Sequence, residues 1–124
     1  MAEIELTLAI SDYDHVRDLT TGRVKPQGID LVCLDLSIEE IFYRFTMFRE
    51  WDISEMSFAK YASLIAQGDA TLSGIPVFPS RVFRQSAIYL HRDAGITEPR
   101  QLAGRKVDVP EWAQTAGIYN RERR

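Results

Sequence analysis

An open α/β sheet, mixed but with parallel pairs and flanked by helices, is the fold the sequence predicts, and three observations predict it. Strand-like apolar runs at residues 4–10, 29–36 and 51–56 alternate with stretches in which apolar residues recur at helical spacing. Capping residues and glycines mark the ends of those helical stretches. The separation between strands leaves room for a crossover helix, which a parallel pair requires and a hairpin does not.

The elements follow in order. Ile4, Leu6, Leu8 and Ile10 alternate with Glu5, Thr7 and Ala9, giving a first strand that runs into the polar cluster Ser11, Asp12, Tyr13 and Asp14. Gly22, Pro26 and Gly28 are turn signals, and IDLVCLDL after them reads as a second strand. Ser37 with Glu40 has the spacing of a capping box, and Ile38, Ile41, Phe42, Phe45 and Phe48 put one apolar face on the helix it opens. Trp51 to Met56 predicts a third, short strand. Ser57 is placed to cap a further helix through Tyr61 and Ile65 that stops at Gly68. Leu72 to Phe78, Ser86 to Leu90 and Lys106 to Val109 are expected as additional strands, with a brief helical turn between Thr97 and Gly104.

Composition limits the function classes. A chain of 124 residues can bury one modest core, and its net charge of −3 comes with no basic cluster before the terminal Arg121, Arg123 and Arg124. Nucleic acid is therefore not an expected partner. No apolar run approaches the ~20 residues of a membrane helix, and MAEIELTLAI lacks the pattern of an export signal, so a cytoplasmic protein without membrane association is expected. The single cysteine, Cys33, lies in an apolar strand and reads as a structural thiol. His15 and His91 have no partners at metal-ligand spacing, and neither a G-x-G-x-x-G fingerprint nor a P-loop is present, so neither metal nor cofactor is expected. Ser57 to Lys60 matches S-x-x-K, but the S-D-N and K-T-G segments that give this pattern meaning are missing.

Ligands of open α/β sheets bind outside the carboxyl ends of the strands. That rule selects Asp12, Tyr13 and Asp14 after the first strand, and Glu55, Met56 and Ser57 after the third. It also selects Pro79, Ser80, Arg81 and Arg84 in the proline-punctuated loop, and Glu111 to Thr115 after the last expected strand. Guanidinium groups beside unpaired backbone N–H groups are a combination suited to small carboxylic acids.

Several ordered segments resemble a known family. The opening SDYD, GRVKPQGIDLVCL, IEEIFYRF, WDISEMSFAKY, IPVFPSRVFRQSAIYLH and GITEPRQLAGRKVDVPEWAQTAG are similar to the 4,5-dihydroxyphthalate decarboxylase group within the type II periplasmic-binding-protein-like fold. ITEPRQLAGRKV is shared with many solute-binding proteins, whereas FPSRVFRQS and EMSFAKY favour the decarboxylase group.

The resemblance implies a two-lobed architecture with the ligand at the lobe interface. On that pattern residues 1–105 are the first lobe and 106–124 open a second, truncated one. Two departures accompany this expectation: NRERR stands where an apolar helix would continue, and Asp108 stands where the family has a small residue. A first lobe lacking its complement is expected to self-associate through exposed apolar surface.

The implied activity is decarboxylation of a dihydroxylated aromatic diacid, without a cofactor. In that reaction Asp12, Asp14 or Glu55 would handle protons. Arg81 and Arg84 would orient the substrate carboxylates, with Tyr13, Ser57, Ser80, Glu111 and Thr115 completing its binding. The alternative is a solute-binding protein that delivers a small aromatic or sulfonated acid to a transporter.

Overall fold

A computed structural model of the chain describes residues 2–83, 88–109 and 114–121. It resolves into two compact units, one formed by residues 1–56 and 77–79 and the other by 57–76 and 80–124.

The first unit holds the sheet. Strand β1 spans Ile4–Ile10, β2 Ile29–Asp35 and β3 Ile53–Ser54. Their order is β2-β1-β3, and both pairings are parallel, from Ile4 opposite Ile29 to Ile10 opposite Asp35 on one side and Leu8 opposite Ile53 on the other. Among the described residues the sheet is thus parallel rather than mixed. Parallel strands need crossovers. The first carries a short 3-10 turn, Asp14–Val16, and helix α1, Arg17–Thr20, while the second carries helix α2, Ile38–Phe48, from β2 past β1 to β3.

The central strand explains the core. Leu8, Ala9 and Ile10 are all buried, so β1 loses its polar-out alternation at the end where both its faces are covered. Ile41 of α2 is completely buried, and Phe45 lies parallel to Trp51 with ring centroids 6.5 Å apart. The Arg44 guanidinium sits over the Trp51 ring at 5.0 Å, its charge met by Glu40 and Glu50. Ser37 caps α2 by accepting from the Glu40 N–H, while the Glu40 carboxylate turns to Arg44 instead of closing a capping box. The helix ends at Arg49, which takes a left-handed φ of 52° and donates its guanidinium to the Phe45 and Thr46 carbonyls. Those two bonds satisfy helix-end carbonyls and offset the cost of a left-handed backbone at a residue with a Cβ.

The second unit contains helix α3, Phe58–Ala66, capped by Ser57, and helix α4, Thr115–Arg121. Between them come 3-10 turns at Arg92–Ala94 and Pro99–Leu102. The second of these has the full capping box between Glu98 and Gln101. Tyr61 of α3 accepts the Gly74 N–H at 3.1 Å, and a Cβ on Gly74 would stand 2.8 Å from the Tyr61 hydroxyl. Ile75, Val82, Phe83, Ile88 and Tyr89 are exposed.

Three expected strands differ from the structure. Residues 72–78, 88–90 and 106–109 form no strand, and 86–87 lie outside the described residues. An apolar run becomes a strand only when a ladder partner is available, and these runs have none among the described residues. No helix among the described residues is long and apolar enough to cross a membrane.

Candidate active site

The crevice rule finds its geometry in the first unit. Chain order sends β1 to β2 on one side of the sheet and β2, through α2, to β3 on the other. The carboxyl ends of β1 and β3 therefore lie side by side at one end of the sheet, where ligands of open α/β sheets bind. Asp12, Tyr13 and Asp14 follow β1 there, and Glu55 follows β3.

Glu55 is the centre of this arrangement. It is 9% exposed, and both carboxylate oxygens accept: Oε1 from the Ser11 N–H at 2.7 Å, Oε2 from the Tyr13 hydroxyl at 2.8 Å. Its own N–H donates to the Ala9 carbonyl at 3.1 Å, extending the β1–β3 pairing by one step. The Ser11 hydroxyl donates to the Leu36 carbonyl at 3.0 Å, so the loop after β2 is tied to the same point. A buried carboxylate is tolerable when charge-assisted hydrogen bonds replace its water, and here a backbone amide and a phenol do so. The Tyr13 ring stacks on His15 with centroids 5.6 Å apart.

Asp12 and Asp14 are differently engaged. Arg17 grips Asp12 through both oxygens, at 3.0 to 3.2 Å, and approaches Asp14 at 3.1 Å. The hydrogen bond to Asp12, followed by the attraction of both carboxylates, raises the Arg17 pKa above its ordinary value. This ion pair is exposed, so it orients the loop more than it stabilises the fold.

Ser57 and Thr115 meet in the second unit. Ser57 is buried, and its hydroxyl accepts from the N–H groups of Lys60 at 3.4 Å and Thr115 at 3.2 Å. The Thr115 hydroxyl accepts from the Ala59 N–H at 3.2 Å and lies 3.1 Å from the Ser57 hydroxyl. Each residue thus caps the other's helix, and the N–H groups of Ala59, Lys60 and Thr115 donate to these two oxygens. The S-x-x-K match has the same explanation, Ser57 acting as the cap of α3.

Arg81 and Ser80 are exposed, and Arg81 lines a shallow, open depression of about 260 Å³ with Val82 and Phe83. Arg84 and Glu111 lie outside the described residues. Among the described residues no group of three metal-ligating side chains comes together. His91 accepts from the Asp93 N–H at 3.2 Å, a turn-capping contact.

Sequence reasoning did not single out Ser11 or Arg17. The signal for Ser11 was its place as first residue after a strand; Arg17 carries no motif that forecasts its grip on Asp12.

A parallel α/β sheet with a buried carboxylate held at its strand ends defines a class broader than one activity, and comparison with known proteins narrows it. No protein-family model matches the sequence. The chain is similar to the 4,5-dihydroxyphthalate decarboxylase of Comamonas testosteroni, 38% identical over 121 residues that make up 98% of this chain and 37% of the relative. It is also similar to the enzyme of that name from Pseudomonas putida, 36% identical over 121 residues, 98% of this chain and 47% of the relative. The chain spans less than half the length of these relatives, and the resemblance read from its segments is shown across almost all of it.

Proposed function

We propose that the chain carries the proton-handling crevice of a decarboxylase for a dihydroxylated aromatic dicarboxylic acid of the 4,5-dihydroxyphthalate type. The observation that carries this reading is Glu55 held by Ser11 and Tyr13 at the carboxyl ends of β1 and β3, in a chain similar to two decarboxylases of that name. Losing carbon dioxide from an aromatic ring requires a proton for the ring carbon and a fixed ring orientation. In the first unit Asp12, Asp14 and Glu55 supply acid–base chemistry and Tyr13 a binding contact. In the second unit Arg81 and Ser80 supply cationic and hydroxyl contacts for carboxylates, Arg84 adds a second guanidinium, Ser57 and Thr115 hold the starts of α3 and α4, and Glu111 is a further binding residue taken from the sequence.

We read the architecture as the first lobe of a type II periplasmic-binding-protein-like fold over residues 1–105, with 106–124 opening the second. The parallel β2-β1-β3 order supports that reading without being specific to it. A cytoplasmic location goes with it and is checked by cell fractionation. Self-association through exposed side chains such as Val82, Phe83 and Tyr89 is measured by sedimentation.

Carbon dioxide release from 4,5-dihydroxyphthalate, with phthalate as control, tests the function. Release from the dihydroxylated acid alone is the expected result. Binding of either acid without release removes the decarboxylase reading.

A further inference from the structure

We infer that Tyr13 and Glu55 form the subsite that recognises a ring hydroxyl of the substrate and takes its proton, with Tyr13 touching the substrate and Glu55 acting through it. The inference rests on the decarboxylase reading and concerns the same crevice.

The geometry separates the two roles. Glu55 is 9% exposed, its Oε1 is held by the Ser11 N–H at 2.7 Å, and its backbone is held by Ala9, so it has little freedom to turn toward a ligand. Its remaining oxygen, Oε2, receives the Tyr13 hydroxyl at 2.8 Å. A ligand therefore reaches this carboxylate through the phenol, which is half-buried at the strand ends and oriented by stacking on His15. A phenol that donates to a carboxylate offers its oxygen as an acceptor, and an acceptor backed by negative charge selects a hydroxyl over a carboxylate. Asp12 and Asp14 are both engaged by Arg17 and have no such coupling to the phenol among their described contacts.

The chemistry requires such a group. In a 4,5-dihydroxylated diacid each hydroxyl is para to one carboxylate. The hydroxyl O–H bond breaks as its proton passes to the Tyr13 oxygen, and the Tyr13 proton passes to Glu55. The ring, now carrying a phenolate, takes a proton from water at the carbon bearing the departing carboxylate. The C–C bond then breaks with its electron pair staying in the ring, and carbon dioxide leaves. The phenolate oxygen finally recovers its proton from Glu55 through Tyr13. One carboxylate and one solvent proton become a C–H bond and carbon dioxide, with no change of oxidation state at the protein.

Titration calorimetry of this chain with 4,5-dihydroxyphthalate and with phthalate, in wild type, Tyr13→Phe and Glu55→Gln, tests the subsite. Near-ultraviolet difference spectra report ionisation of the bound catechol. Wild type is expected to bind the dihydroxylated acid about tenfold more tightly than phthalate, the worth of one hydrogen bond to a charged network. Tyr13→Phe keeps the ring on His15 and is expected to abolish that preference, bringing the affinity for the dihydroxylated acid down to that for phthalate. Both variants should lose the catecholate band, and carbon dioxide release should fall about 100-fold. Release by wild type, with preference and rate retained in Tyr13→Phe, overturns the inference and leaves the decarboxylase reading standing. A preference lost in Tyr13→Phe, without carbon dioxide release from wild type, keeps the hydroxyl subsite and removes the decarboxylase. Equal affinity of wild type for the two acids, or binding of neither, overturns the subsite.

Discussion

One carboxylate oxygen of Asp52 accepts both the backbone N–H of Thr7, at 2.8 Å, and its side-chain hydroxyl, at 2.7 Å, while the Asp52 N–H donates back to that hydroxyl oxygen at 3.1 Å. This clasp lies one position before the Leu8–Ile53 pair, and the Glu55 carboxylate bonds the Ser11 N–H beyond its other end. A strand of two residues has too few ladder bonds to fix its own register, so two side-chain carboxylates fix it from either side. The reach of Glu55 to Tyr13 depends on that register.

The clasp has a pH signature. The Thr7 N–H, then the Thr7 hydroxyl, hold the Asp52 carboxyl below its ordinary value. A depressed carboxylate contributes stability that is fully present above the unfolded value of about 3.9 and is lost as pH falls through the folded one. Asp52→Asn is therefore expected to melt below wild type at neutral pH, with the gap closing as pH falls through the lowered pKa of Asp52. Melting curves across that range check it, and a gap independent of pH would remove the linkage.

Burial of Ile41 gives a second expectation. The side chain is fully buried in α2, which packs on β1, and its removal leaves a cavity that a helix pinned at Ser37 and Arg49 cannot readily close. Ile41→Ala should cost about 2 to 5 kcal/mol and Ile41→Val about 0.5 to 1.5 kcal/mol. Urea unfolding followed by circular dichroism measures both, and a loss under about 1 kcal/mol for the alanine would mean the site collapses freely.

Much of this first unit was legible in the sequence for local reasons. Strands β1 and β2 and the cap at Ser37 announce themselves through period and side-chain chemistry within a few residues, as does the cap at Ser57 in the second unit. The runs at 72–78, 88–90 and 106–109 carry similar apolar content, yet whether they pair depends on chain far from them, which no local pattern records. The site divides the same way. Tyr13 and Glu55 could be nominated as post-strand residues, but their hydrogen bond joins positions 42 residues apart and follows from the β2-β1-β3 order. Thr115 was nominated for a loop after a strand; it opens a helix instead, because its hydroxyl and that of Ser57 complete each other's caps.

Cys33 should alkylate slowly. Burial in β2 pushes its thiol pKa up, and the thiolate is the reactive form. The raised value also means that this thiol favours the fold below its unfolded pKa and ceases to do so as pH rises through the folded one. Iodoacetamide labelling at pH 8 should be slower in the native protein than in urea, where the rate should match that of a free thiol. Equal rates would show an accessible, unperturbed cysteine.

Gly74 is predicted to resist substitution although it is exposed. In Gly74→Ala the new methyl would meet the Tyr61 hydroxyl, so that ring must swing and give up the bond to the Gly74 N–H. The cost should be about 1 kcal/mol, the net worth of one such bond. Tyr61→Phe should lose a similar amount, and adding Gly74→Ala to it should cost less than in wild type because the bond is already gone. Strict additivity in the denaturation midpoints would show that the two residues act independently.

The final prediction concerns Arg81 and the carboxylates of the proposed substrate. Pro79 stiffens the backbone just before it, and the exposed Arg81 lines an open depression with Val82 and Phe83. A planar fork bonds a carboxylate through two parallel N–H groups, whereas the ammonium of lysine offers a point charge without that geometry. Arg81→Lys should therefore weaken phthalate and 4,5-dihydroxyphthalate alike, by about 1.5 to 3 kcal/mol, the range for hydrogen bonds to charged groups. Because both acids carry the same pair of carboxylates, the ratio of their affinities should stay where it is in wild type. Calorimetric titration of both acids against the variant checks the loss and the ratio together. Unchanged affinity removes Arg81 from the site, and a loss confined to the dihydroxylated acid would mean that Arg81 acts on the ring hydroxyls rather than on the carboxylates.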